Sequence, residues 1–79
     1  MNNLERYKKV FIDCFEIEEA VLTDLKYQDI DQWDSLGHMS MIGALEEEFD
    51  IMFEMDDIID FSSFIKGKET LSKYGIEIE

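Results

Sequence analysis

Residues 33–49 decide the fold of this chain, and they read Trp-Asp-Ser-Leu-Gly-His-Met-Ser-Met-Ile-Gly-Ala-Leu-Glu-Glu-Glu-Phe. Asp34 stands where a helix N-cap is expected, because its carboxylate can accept a hydrogen bond from a free N–H group of the first turn. On a helical wheel, the apolar side chains that follow share one sector of roughly 100°; they are Met41, Ile42, Leu45 and Phe49. The pattern predicts a helix over about Ser35 to Phe49 with this sector facing the core.

The neighbouring sector of this helix combines a serine with apolar and acidic side chains. Ser35 lies in the first turn, where free N–H donors and the positive end of the helix dipole favour a phosphate group. Charge steers the encounter with a partner, and apolar side chains supply area to bury. We therefore predict a partner-docking surface on this side of the helix, made of Leu36, Met39, Glu46 and Glu47. The alternative is that the acidic run is only a solvated helix face.

The composition restricts the classes of protein to consider. The 79 residues include 20 Asp and Glu against 7 Lys and Arg, for a formal net charge of -13. Such a surface repels nucleic acid and anionic membranes and favours partners with basic docking patches. Hydrophobic residues make up 46% of the chain, which is ample for a folded core, so we expect one domain over residues 1–79. One cysteine suits a reducing compartment, and no apolar leader or membrane-spanning run is evident, so we expect a cytoplasmic protein. We also expect it to be a monomer.

Apolar residues at three- and four-residue steps predict a first helix before this central one. It is expected to run from an N-cap at Asn3 to about Cys14, with Cys14 as a small core residue. The connection over residues 15–33 is long and has no strong period. We expect only a short turn near residues 18–22 within it.

Two further helices are expected after the central one. A short helix is predicted near Asp56–Asp60, entered through an aspartate cap. The last helix is predicted to begin at residue 62 or 63 and to end at Tyr74, with Gly75 as a left-handed stop. Gly67 counts against this helix by about 1 kcal/mol relative to alanine. The predicted fold is an all-α bundle of three main helices plus one short helix.

The tract over residues 33–39, followed at a short distance by residues 44–50, resembles the attachment segment of acyl carrier proteins. The likeness runs over roughly residues 7–74, is strong over 33–50 and is architectural elsewhere. In that family the serine of Asp-Ser-Leu carries a 4′-phosphopantetheine arm through a phosphodiester. The resemblance implies the same for Ser35, between Asp34 and Leu36. Gly37 stands where many fatty-acid carriers have a second acidic residue, which favours a carrier outside housekeeping fatty-acid synthesis.

The resemblance implies a carrier that is not itself an enzyme and that holds acyl or aminoacyl cargo as a thioester on the arm, which comes from coenzyme A. The implied partners are a phosphopantetheinyl transferase, an acyl or aminoacyl ligase or synthetase, and downstream acyl-processing enzymes. A hydrocarbon cargo is expected between the second and third helices, against Met41, Ile42, Ile58 and Phe61. Fatty acyl, polyketide, amino acid and surface-polysaccharide precursors all stay open as cargo. The alternative function is an acidic helical adaptor that is never modified.

Other sites receive less support from the sequence. Asp34, Ser35 and His38 have the composition of a hydrolase triad, but no glycine-rich elbow or oxyanion hole accompanies them. His38 is expected to cap the top of the bundle; the alternative is a role beside the phosphate of the arm or at the mouth of an acyl cavity. Trp33 is expected to pack onto the first helical turn or to contact a partner, and the two roles are compatible. The acidic stretch before Ser35 lacks the glycine and glutamate of a calcium loop, so no metal site is expected. A calcium-binding helical module stays a rival interpretation, since the charge density alone allows weak cation binding at the surface.

Overall fold

The structure is a computed structural model that describes residues 2–78. A 3₁₀ turn covers Glu19–Val21, and the four α-helices are α1 (Asn3–Phe15), α2 (Ser35–Phe49), α3 (Met55–Asp60) and α4 (Phe64–Ser72). Residues 2–78 contain no β-strand, and an isolated backbone bridge pairs Lys26 with Ser63. The predicted all-α fold of three main helices and one short helix is confirmed. In the same part of the chain, no helix is both long and apolar enough to cross a membrane.

Side-chain caps fix the starts of α1 and α2. Asn2 Oδ1 accepts a hydrogen bond from the backbone N–H of Glu5 at 2.8 Å, so the N-cap of α1 is Asn2. The predicted cap, Asn3, is instead the first residue of that helix. Asp34 Oδ1 accepts from the N–H of Gly37 at 2.9 Å, and the predicted bounds of α2 are confirmed. A cap of this kind stabilises a helix by about 1 kcal/mol.

The last two helices differ in detail from the prediction. α3 follows Glu54, whose side chain makes no capping bond within the described chain, so the predicted aspartate cap is wrong. α4 follows Ser63, whose Oγ accepts a first-turn N–H at 2.9 Å, and it ends at Ser72 instead of Tyr74. Gly75 has a φ of 81°, a left-handed conformation that glycine adopts without steric cost, as predicted.

Aromatic side chains fill the interior. Phe11 of α1 is fully buried, and its ring centroid lies 5.0 to 6.3 Å from those of Tyr7, Phe15, Trp33, Phe61 and Phe64. Trp33 is 0% exposed, so its predicted packing role is confirmed, and in this structure its side chain is not accessible to a partner. The predicted core sector of α2 is also confirmed, since Met41, Ile42, Leu45 and Phe49 are all buried. Edge-to-face contacts between aromatic rings stabilise the core beyond the area they bury.

Candidate functional site

Ser35 is the first residue of α2, and it is exposed. The preceding Asp34 has an extended backbone, and its carboxylate is already bound to the N–H of Gly37. The N–H groups of Ser35 and Leu36 have no acceptor among residues 2–78, and neither does the Ser35 hydroxyl have a partner there. Two free N–H donors at the positive end of a helix dipole therefore surround an accessible hydroxyl.

A steric contact explains why glycine stands at position 37, where many fatty-acid carriers have an acidic residue. A Cβ atom at Gly37 would collide with the backbone carbonyl of Gln32. A backbone carbonyl in a closed turn cannot swing away as the end of a long side chain can. The acidic residue that many fatty-acid carriers have at this position therefore finds no room in the first turn of α2.

An apolar groove of about 330 Å³ lies directly beside Ser35, between α2 and α3. Of the residues expected to face a cargo there, Ile58 and Phe61 line the groove. Met41 and Ile42 do not line it, because they are 0% and 1% exposed and belong to the core behind it. The expectation for those two residues was therefore wrong.

Exposed apolar side chains lie next to Ser35 in sequence and along the groove. Leu36 is 80% exposed and Met39 is 54% exposed, as the predicted docking surface requires. Met55 and Ile59 of α3 are each 70% exposed and line the same groove, and sequence reasoning missed both. α3 has six residues, which is less than two helical turns, so its apolar period is too short to define an outer face.

The acidic run at the end of α2 is divided among three roles. Glu46 is half-buried, and its carboxylate accepts the N–H of Phe53 at 2.8 Å, which holds the loop before α3. Glu48 pairs with Arg6 at 2.7 Å. Glu47 is exposed and forms no ion pair among residues 2–78. At 1.5 Å per residue, the run begins about 17 Å along the helix axis from Ser35.

The predicted docking residues therefore share one side of α2 without meeting at one point. Leu36 and Met39 lie beside Ser35, whereas Glu46 and Glu47 lie at the far end of the helix. Both ends of α2 nevertheless lie in a segment without positively charged side chains, because all 7 Lys and Arg of the chain lie outside residues 27–65. The whole segment that carries the groove and α2 is consequently acidic, and its field favours a basic partner.

Hydrogen bonds of His38 exclude the hydrolase arrangement. The indole N–H of Trp33 donates to His38 Nδ1 at 2.9 Å, and His38 Nε2 lies 2.8 Å from the carbonyl oxygen of Ile58. Both ring nitrogens are thus engaged, and neither is bonded to Ser35. Within residues 2–78, no group of three or more His, Cys, Asp or Glu side chains is arranged to hold a metal ion.

A buried carboxylate ties α3 to the end of α4. Asp57 is 7% exposed; its Oδ1 accepts from Lys73 Nζ, and its Oδ2 accepts from the Tyr74 hydroxyl at 2.6 Å. The hydrogen bond from Lys73, followed by that from Tyr74, lowers the pKa of Asp57. The Tyr74 oxygen in turn accepts the N–H of Glu54 at 2.8 Å, so the contact reaches the start of α3. This cluster holds one wall of the groove in place.

Acid is expected to remove the stabilising effect of this carboxylate. The pKa of Asp57 is lowered in the folded protein, so its ionised form stabilises the fold. This contribution is complete above the unfolded-state pKa of about 3.9, and it is lost as pH falls through the folded-state pKa. We expect Asp57→Asn to lower the melting temperature at neutral pH, with the difference from wild type closing in strong acid. Asp56→Asn, at the exposed neighbour on α3, is the matched control. An equal loss at every pH would show that Asp57 acts through packing alone.

Comparison with known proteins gives no family assignment. No protein-family model matches the chain, and no solved structure matches it significantly. The functional argument therefore rests on the Asp-Ser-Leu tract and on the groove beside it.

Proposed function

We propose that this chain is a carrier protein that receives a 4′-phosphopantetheine arm on Ser35 and presents acyl or aminoacyl intermediates to partner enzymes. The observation that carries the proposal is an exposed serine hydroxyl at the start of α2, within Asp-Ser-Leu and at the edge of an apolar groove. When bound, the arm supplies a terminal thiol that holds cargo as a thioester. The chain itself positions this group and contributes no reacting side chain.

The residues at the start of α2 fit a phosphodiester. The N–H groups of Ser35 and Leu36 are free to face an anionic oxygen, and the helix dipole favours negative charge at this end. The adjacent carboxylate of Asp34 is turned to the N–H of Gly37, which offsets part of its charge. Ser35 needs no activating base of its own, because the transferase that installs the arm supplies that chemistry.

The surface around Ser35 suits enzymes that approach with an apolar patch bordered by basic residues. Leu36 and Met39 offer apolar area to bury, and the acidic segment on either side of α2 attracts positive charge. In this proposal the partners are a phosphopantetheinyl transferase, an acyl or aminoacyl ligase or synthetase, and downstream acyl-processing enzymes. We place these reactions in the cytoplasm, where the single thiol, Cys14, stays reduced.

The test is transfer of the arm from coenzyme A. We expect the purified protein, incubated with coenzyme A and a broad-specificity phosphopantetheinyl transferase, to gain the mass of one arm. An unmodified helical adaptor would keep its mass while a known carrier in the same reaction became labelled.

Charge reversal at the far end of α2 is expected to slow this transfer. Glu47 is the carboxylate of the acidic run that is exposed without an ion pair in the described chain. An exposed ion pair is worth about 0.2–1 kcal/mol, so replacing attraction by repulsion in Glu47→Lys should cost about fivefold in rate at low salt. The loss should shrink at high salt, where exposed charges are screened.

A matched control separates docking from total charge. Glu69→Lys makes the same charge change at an exposed position on α4, and we expect its initial rate of transfer to stay near wild type. Lys73→Glu is unsuitable, because Lys73 pairs with Asp57 and its loss would disturb α3. Equal slowing by Glu47→Lys and Glu69→Lys would mean that net charge, and not this face, governs the encounter.

A further inference from the structure

His38 joins the start of α2 to α3 in one defined chemical state. An indole N–H is a donor only, so His38 Nδ1 must accept the hydrogen bond from Trp33. A carbonyl oxygen accepts only, so His38 Nε2 must carry the proton that is donated to Ile58. Both bonds are satisfied together only by the neutral imidazole with its proton on Nε2.

The surroundings of the ring offer a protonated His38 no charged partner. Its aromatic neighbours are Trp33, Tyr27 and Phe61, with ring centroids 6.2, 5.5 and 6.1 Å away; of these, Tyr27 is the titratable side chain. On its own helix, the carboxylate of Asp34 is bound to the N–H of Gly37. On α3, the carboxylate of Asp57 is bound to Lys73 and Tyr74. No ion pair reaches His38 within residues 2–78.

Protonation therefore breaks one of the two bonds without a compensating contact. The imidazolium has N–H groups at both nitrogens, so Nδ1 then faces the buried indole N–H of Trp33 donor to donor. A buried donor left without an acceptor is unfavourable, and the ring must move away from Trp33. Because the other nitrogen is bound to Ile58, this movement displaces α3 or breaks that bond as well.

The position of α3 makes such a movement consequential. The helix has six residues and begins without a side-chain cap within the described chain. His38 and Ile58 are in direct contact at 2.8 Å, and both line the groove that borders Ser35. We propose that protonation of His38 releases Trp33 and loosens α3, so that the groove beside Ser35 opens when the ring takes up a proton. We call the two hydrogen bonds of His38, to Trp33 and to Ile58, the latch. The latch belongs to the unmodified chain, so its test does not depend on the proposed arm on Ser35.

The composition of the chain allows a direct spectroscopic test. His38 is the only histidine and Trp33 the only tryptophan, so each gives one assignable set of side-chain proton signals. In a pH titration of the wild-type protein by NMR, we expect the indole N–H of Trp33 and the amides of Ile58 and Ile59 to shift with the same midpoint as the His38 ring. An indole signal that stays constant while His38 titrates would overturn the proposal. So would a His38 ring that stays neutral until the protein unfolds in acid.

Two variants separate the latch from general effects of acid on the carboxylates. His38→Gln keeps an acceptor for Trp33 and a donor for Ile58, and its amide takes up no proton as the solution is acidified. Nile red, an uncharged dye that brightens in apolar surroundings, reports access to the groove without repulsion by the acidic surface. We expect its emission to rise as the wild-type protein is acidified and to stay constant with His38→Gln. The same response in both proteins would assign the effect to carboxylates and overturn the proposal.

His38→Leu provides the open reference state. It removes both hydrogen bonds, so we expect it to bind Nile red at neutral pH as the wild type does in acid. Dye binding at the wild-type neutral level would show that the two bonds do not hold α3, and the latch would be wrong. If this variant does not fold, the wild-type titration and the comparison with His38→Gln still decide the outcome.

Discussion

Ser35→Ala is expected to abolish arm transfer completely, because it removes the oxygen that forms the phosphodiester. No other serine combines the first turn of an α-helix with Asp on one side and Leu on the other. Fold stability should change little, since Ser35 is exposed and the cap of α2 is Asp34. Intact mass after incubation with coenzyme A and transferase measures the transfer, and a melting curve of the same sample verifies the fold.

Two other serines serve as controls for this result. Ser62 also lines the groove, and Ser40 is also exposed on α2. We expect Ser62→Ala and Ser40→Ala to be labelled to the wild-type extent. Full labelling of Ser35→Ala would show that the attachment residue is wrong. Absence of labelling in the wild type, beside a labelled known carrier, would favour the unmodified adaptor.

The second large effect is expected from a glycine on α4. Gly67 is buried, and a Cβ atom there would collide with the Tyr7 hydroxyl and with the Phe61 ring, whose Cε1 would lie 2.7 Å away. Neither neighbour can give way easily: Tyr7 is fully buried and donates to the carbonyl of Phe64 at 2.6 Å, and Phe61 is 1% exposed. Burial also raises the pKa of Tyr7 well above its ordinary value, so the hydroxyl keeps its proton and that bond.

We therefore expect Gly67→Ala to destabilise the protein in spite of its better helix propensity. Overpacking a core costs about 1–3 kcal/mol, and the several close contacts at Gly67 place this substitution at the upper end; subtracting the gain of about 1 kcal/mol from replacing glycine in a helix leaves a net loss of about 2 kcal/mol. A net loss of about 2 kcal/mol would lower the melting temperature by about 8–16 °C in a domain of this size. Thermal unfolding followed by circular dichroism measures the shift.

Gly43 on α2 supplies the matched control with the opposite sign. It is exposed, and a Cβ atom at this position would have open space around it. Apart from its chain neighbours and the nearby backbone of α2, no atom of residues 2–78 would lie within 4 Å of it. Gly43→Ala should raise the free energy of unfolding by about 0.5–1 kcal/mol. If Gly67→Ala raised the melting temperature as well, α4 would have to lie further from α1 than the structure places it.

Local patterns account for the parts of the protein that sequence reasoning predicted well. The bounds of α2, its cap at Asp34 and its buried sector all depend on residues within a few positions of one another, so the sequence contains the whole signal. The exposure of Ser35 and Leu36 follows from the same periodicity. The resemblance to carrier proteins rests on this tract too, and it stays a prediction until the transfer is measured.

Longer-range contacts account for what was missed. The early end of α4 at Ser72 accompanies the use of Lys73 and Tyr74 to bind Asp57 of α3, a pairing that no local pattern contains. Gly67 reads as a weak point in a helix by propensity alone, yet the structure needs a glycine there because Tyr7 and Phe61 occupy the space of a side chain. A local propensity is a weak prior that tertiary packing overrides.

The amino-acid sequence by itself determined the helical class, the central helix and the serine at its start, because hydrogen-bonding caps and a 3.6-residue period act between neighbours in the chain. Only the tertiary structure decided that Met55 and Ile59 border a groove beside Ser35, and that His38 bonds to both Trp33 and Ile58. Those contacts join residues from separate elements. They form only when packing of the aromatic core brings α3 against the first turn of α2, and the free energy of that packing is not encoded in any single segment.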